Sequence, residues 1–129
     1  MATEILVNDG GAPARILPFT AGSTITAGYP VQMGADAEID TFAAANSKPL
    51  GFALTTVTSG NIASIITGHG IIINAYCSGT IGRGDGVATL ADGNLGQASS
   101  AANAIGYYID PSGAHSGAAT LQRILYQGL

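Results

Sequence analysis

The chain has 129 residues, 47% of them hydrophobic and only 9% charged, with a formal net charge of −4. Soluble domains average about 25% charged residues, and disordered chains err toward high charge and few aliphatics, so this composition excludes disorder and describes a folded unit with an unusually plain surface. The cations Arg15, Lys48, Arg83 and Arg123 stand singly, which excludes a phosphate-binding patch, and no nucleic-acid partner is expected.

Met1-Ala2-Thr3-Glu4 lacks the basic and apolar regions of a signal peptide, so synthesis in the cytosol is expected. Next come an apolar patch, Ile5-Leu6-Val7, and a turn-rich, flexible segment, Asn8-Asp9-Gly10-Gly11-Ala12-Pro13. Residues 1–13 therefore read as an N-terminal arm ahead of a single β-rich domain, 14–129. Two readings stand for the patch: an edge strand of that domain, or an arm that reaches a neighbouring subunit. On the second, removing residues 2–12 leaves the domain folded and weakens its attachment.

From there the apolar runs are short, rich in Ile, Val, Thr and Tyr, and bounded by Gly, Asn, Asp or Ser. Strands are expected at 14–19, 30–33, 50–57, 62–67, 70–77, 87–90, 105–109 and 119–126. One or two helical turns are expected over 40–47, with Asp40 as cap. The fold class is thus all-β, a compact barrel or sandwich with at most one short helix. The longest strongly apolar stretch, Ile71-Ile72-Ile73-Asn74-Ala75-Tyr76-Cys77, is far short of the ~20 residues of a spanning helix. The chain also supplies too few ten-residue segments for a membrane barrel, so no membrane partner is expected.

One phrase occurs twice. Gly28-Tyr29-Pro30-Val31 leads through Ala35-Asp36 to Leu50-Gly51-Phe52-Ala53-Leu54, and Gly84-Asp85-Gly86-Val87 leads through Ala91-Asp92 to Ile105-Gly106-Tyr107-Tyr108-Ile109. Each copy then runs to Gly60 or Gly117 and into another apolar strand. The echo reads as duplication, with halves at about 14–69 and 70–129, or as convergent turn chemistry.

Reactive groups are few. His69 and His115 sit between small residues in turns, and Cys77 ends an apolar strand, so none has the base or orienting partner that nucleophilic catalysis requires. Asp36, Glu38 and Asp40 alternate as in part of a calcium loop but lack its glycine and terminal Glu, and read as a solvated hairpin tip. Gly82-Arg83-Gly84-Asp85-Gly86 does not complete a phosphate-binding spacing; its Arg83-Gly84-Asp85 matches the integrin tripeptide but reads as a turn. No enzymatic activity, cofactor or metal site is expected.

Pro13-Ala14-Arg15-Ile16-Leu17-Pro18-Phe19 followed by Ile25-Thr26-Ala27-Gly28 resembles the N-terminal region of small capsid decoration (cement, head-stabilising) proteins of tailed bacteriophages. So do Leu50-Gly51-Phe52-Ala53-Leu54, Thr67-Gly68-His69-Gly70-Ile71 and the run from Ile81 to Val87 ahead of Ala91-Asp92-Gly93. The resemblance implies a β-rich structural protein that binds the major capsid protein on the outside of an icosahedral head. It implies a homotrimer that stabilises the shell by bridging capsomers, located in the virion. The candidate capsid- or subunit-contact residues are Ile5, Leu6, Val7, Arg15 and Phe19. For Arg15, a partner-facing ion pair competes with a solvated surface charge. The competing function is a tail, fibre or baseplate module that binds host glycans through exposed aromatics, the candidates being Tyr29, Tyr76, Tyr107, Tyr108 and Tyr126.

Overall fold

The computed structural model describes residues 4–8 and 14–128. The order of elements is β1 (Leu6–Asn8), β2 (Arg15–Thr20), β3 (Pro30–Met33), β4 (Ile39–Thr41), β5 (Gly51–Ala53) and β6 (Ile62–Thr67), followed by β7 (His69–Cys77), β8 (Gly86–Thr89), β9 (Leu95–Gln97), β10 (Gly106–Tyr108) and β11 (Thr120–Gln127). The chain is all-β; among the described residues its only helical element is a single 3-10 turn, Ala101–Asn103.

The strands form two closed sheets. The first runs β2-β6-β5-β3-β4, and a parallel bridge from Ala21 to Ile39 joins its ends. In the second the order is β7-β11-β10-β8-β9, closed by parallel pairing of β7 with β9 at Cys77 and Leu95. Strand β1 adds to β7 through Leu6 opposite Ile73. Counted from its own first strand, each barrel has the same order. Closure leaves few unpaired edges, which is how a small β-protein protects its backbone polar groups.

The two barrels also repeat their hydrogen bonds at closely matching positions along the two halves of the chain. Gly22 N–H donates to Ile39 O at 2.8 Å and Ser78 N–H to Leu95 O at 2.9 Å. Gly28 N–H donates to Ala53 O at 2.9 Å, and Gly84 N–H to Tyr108 O at 2.8 Å. Ile25 and Val57 exchange a pair of bonds, as do Ile81 and His115. The cores follow suit: Ala21, Ile25, Val31 and Ile39 fill the first barrel, and Cys77, Ile81, Val87 and Leu95 occupy the corresponding places in the second. All eight are fully buried. Each larger aliphatic side chain contributes about 1.5–3 kcal/mol by leaving water, set against the backbone entropy lost on folding.

The barrels share apolar material. Phe52 and Ile66 leave the first barrel to join the core of the second, where the Phe52 ring meets Tyr126 edge-on with centroids 5.0 Å apart. Beside them the fully buried Thr89 hydroxyl donates to Ser47 O at 3.0 Å and accepts from Ser47 N–H at 3.1 Å. A buried hydroxyl satisfied in both roles locks the junction without a desolvation penalty.

Two expectations are corrected. The helical turns expected over 40–47 do not form. Ile39–Thr41 is strand β4, paired with β3, and the ladder continues as Phe42 N–H donates to Pro30 O at 3.2 Å. Ile39 and Phe42 are buried, and hairpin pairing with core burial outweighs a weak cap and three alanines. The strand expected over 50–57 is confined to Gly51–Ala53, after which Thr55 and Thr56 turn outward and only Val57 returns to bridge Ile25.

Candidate interaction surface

Strand β2 carries the most unusual surface. Its sequence, Arg-Ile-Leu-Pro-Phe-Thr, is apolar in the middle, yet Arg15, Ile16, Leu17 and Pro18 are all exposed, Ile16 by 50%. Its cross-strand neighbour at the far end, Ile62, pairs with Thr20 and is 61% exposed. The register explains the geometry. Ala21 N–H donates to Asn61 O on the β6 side, so the alternating amides of Thr20 and Ile16 point to the opposite side. Pro18 falls on that same side and has no N–H, as expected of proline at an edge. Among the described residues no strand pairs along this edge before Gly22 meets Ile39. An exposed apolar edge of this kind is a template for association unless something covers it.

The five candidate contact residues divide between two places. Arg15 is exposed at the start of β2, and Phe19 is half-buried against the first barrel's core. Ile5, Leu6 and Val7 lie instead on the second barrel, along β7. Ile5 is only 4% exposed and belongs to the core, Leu6 packs against it, and Val7 is half-buried. Asn74 N–H donates to Ile5 O at 2.8 Å, and the Asn74 side-chain amide donates to Glu4 O at 2.7 Å. This is the placement of an edge strand, with Ile5 buried within its own chain. Residues 9–13, most of the turn-rich segment, lie outside the described residues. Ile62 escaped attention because it opens a continuous apolar run, and only cross-strand pairing shows which of its members face outward.

The chemistry-bearing residues are committed to structure. Cys77 is fully buried, and burial, followed by the nearby Asp110 charge, pushes its thiol up to about 12. His115 is 7% exposed and held at both ring nitrogens, by Gly79 O at 2.8 Å and the Thr120 hydroxyl at 3.0 Å. His69 meets Gly128 O at 2.9 Å. Within the Arg83-Gly84-Asp85 turn, Arg83 donates to Pro111 O at 2.9 Å and Asp85 accepts from Gly82 N–H at 2.8 Å. Among the described residues no group of three or more His, Cys, Asp or Glu is placed to hold a metal ion. Of the tyrosines, Tyr108 and Tyr126 are core, Tyr107 is 42% exposed, and Tyr29 stacks on Tyr76 with centroids 4.4 Å apart.

A cleft of about 580 Å³ lies over β7 and β11, walled by Tyr76, Leu121, Arg123 and Asp110. Asp110 organises its rim, accepting from Ser112 N–H at 2.9 Å, from the Ser112 hydroxyl, and from Arg123 N–H at 2.9 Å. Burial opposes ionisation of Asp110, but these three bonds and the Arg123 charge outweigh it and hold the carboxyl below the usual carboxylate range. A pKa depressed in the folded state stabilises the fold above the ordinary value, near 3.9, and that contribution is lost as pH falls through the depressed value. Asp110→Asn is therefore expected to lower the melting temperature at pH 6, with a smaller gap from the parent at pH 2. Melts at the two pH values check this, and a gap undiminished in acid would show the loss to be steric.

Two closed five-stranded barrels, each with its own core and with Phe52 and Ile66 passing from the first to the second, leave one apolar edge open. No known family model matches the chain, and no curated protein matches it. Among solved structures it is similar to the N base of the head fiber protein gp8.5 of bacteriophage phi29, with a TM-score of 0.69 at 19% identity. The match covers 91% of this chain and 98% of that one, so the likeness is of the whole fold.

Proposed function

We propose that this protein is a structural component of a tailed phage that binds the outside of the icosahedral head and stabilises it by bridging neighbouring capsomers, as a homotrimer. The observation that carries the reading is an exposed apolar edge and face on β2 and β6, at Ile16, Leu17, Pro18 and Ile62, on a chain with so little charge, which marks the protein as one covered by other protein subunits in an assembly. The fold shared with a phage head-fiber base supports it. Anything that binds only the assembled shell stabilises that shell by mass action, and many copies on one shell multiply a modest single-site energy. A clamp of this kind acts through broad surface held rigid by closed sheets and takes no part in bond chemistry, so no catalytic role is assigned.

Heads stripped of the protein and then re-incubated with it test the reading. Saturable rebinding is expected, together with greater resistance of the heads to heat. Binding to fibres or host cells while bare heads stay unoccupied would replace this reading with the fibre or glycan-binding one.

A further inference from the structure

Within the chain, one of the contacts that seat the first barrel on the second is made by a turn. Gly28 O accepts the Tyr76 N–H at 3.0 Å on the outer edge of β7. Its α-carbon lies so close to Leu121 and the Tyr76 ring that an added Cβ would stand 2.7 Å from Leu121 Cδ2. Tyr76 and Leu121 are cross-strand partners on the outer face of β7 and β11. Both sides of this contact have counterparts elsewhere in the molecule. The turn recurs at Gly84, which makes the same bond inside its own barrel. The receiving pair recurs as Thr20 and Ile62, cross-strand partners on β2 and β6.

Among the described residues neither counterpart is used. Gly84 is exposed, and a Cβ built on it would meet nothing within 4 Å. Ile62 is the most exposed of the large apolar side chains, at 61%, and the Thr20 amide points to the open edge. The internal contact is also one-sided: a turn of one barrel rests on the sheet of the next, with no reciprocal contact between Gly84 and Thr20. One-sided contacts are the kind that repeat from copy to copy.

We propose that copies of this chain associate head to tail, the Gly84 turn of one copy seating on Thr20 and Ile62 of the next as Gly28 seats on Tyr76 and Leu121 within the chain. The occupant of the exposed β2–β6 face is thus a second copy, and the interface repeats the turn-on-sheet contact of the junction between the barrels. This inference rests on the self-association part of the proposed function and is independent of attachment to a head.

Cross-linking tests it. Cys77 is buried with its thiol held protonated, so cysteines introduced at Ile62 and Arg83 are the reactive ones. A mixture of Ile62→Cys protein with Arg83→Cys protein, treated with a short bis-maleimide, is expected to give covalent dimers. Either variant alone is expected to stay monomeric on a denaturing gel. Ile62→Asp is expected to weaken self-association by roughly ten-fold or more while circular dichroism and the melting temperature hold; Met33→Asp, at another exposed apolar site, is expected to leave it unchanged. Self-association that survives Ile62→Asp, with no cross-link in the mixture, overturns this interface and leaves the oligomer intact. A parent protein that remains monomeric at all concentrations overturns both.

Discussion

Gly106→Ala is expected to lower stability by about 3 kcal/mol, or roughly 10 °C in melting temperature, and Gly51→Ala by a similar amount. A methyl group on Gly106 would overlap the Leu125 carbonyl oxygen, and one on Gly51 the Ile66 carbonyl oxygen. Both obstacles are backbone in a neighbouring strand, so relief requires the sheet itself to open. These are the glycines of the twice-occurring Gly-aromatic step, each placed where β5 crosses β6 or β10 crosses β11. Gly60 supplies the contrast. It has open space around it but a φ of +90°, so Gly60→Ala is expected to cost about 1 kcal/mol, through backbone strain alone. Thermal melts of the three variants check the ranking; equal losses would mean that close strand approach is not what fixes glycine at 51 and 106.

The echo in the sequence was legible because it falls on these contacts. Gly28 and Gly84, Val31 and Val87, and Gly51 and Gly106 are where a barrel turns, fills or crosses itself, and such positions tolerate few residue types. The longer strands were legible from their β-branched runs. Strands β4 and β9 were not, since each is three residues long with one buried apolar side chain, Ile39 or Leu95. Yet these two close the barrels, through parallel pairs with Ala21 and Cys77 that no local pattern encodes. The open surface was the least legible feature. Strands β2 and β7 occupy the same place in their barrels, and both read as continuous apolar runs. Burial separates them: β7 has its outer edge covered by β1 and the Gly28 turn, while β2 is exposed along Arg15 to Pro18. Exposure there depends on what docks from a distance in sequence. Position in the run singles out Arg15, which is exposed, and Phe19, which is half-buried, and gives no sign that Ile62 faces outward.

Removing residues 1–8 is expected to cost about 5 kcal/mol, a large share of the 5–15 kcal/mol that holds a typical domain together. An arm that serves only a neighbour would leave the melting temperature unchanged and weaken attachment alone. The structure calls for the opposite order of effects. Ile5 contributes on the scale of a buried isoleucine, about 2–5 kcal/mol on truncation, and Leu6 adds a smaller amount from its half-buried position. The remainder comes from Asn74, which is 1% exposed and donates its N–H to Ile5 O and its side-chain amide to Glu4 O, in the two residues ahead of β1. With the strand gone, those donors face a core edge with no acceptor, at about 1–3 kcal/mol for each buried group left unpaired. Asn74→Ala in the shortened chain removes the orphaned amide and is therefore expected to restore about 1 kcal/mol, although the same substitution in the full chain destabilises it. Denaturant titration of the four proteins gives the sign reversal directly. A shortened chain as stable as the parent would return residues 5–7 to the role of a free arm, and the open edge of β2 would then be one of two such edges.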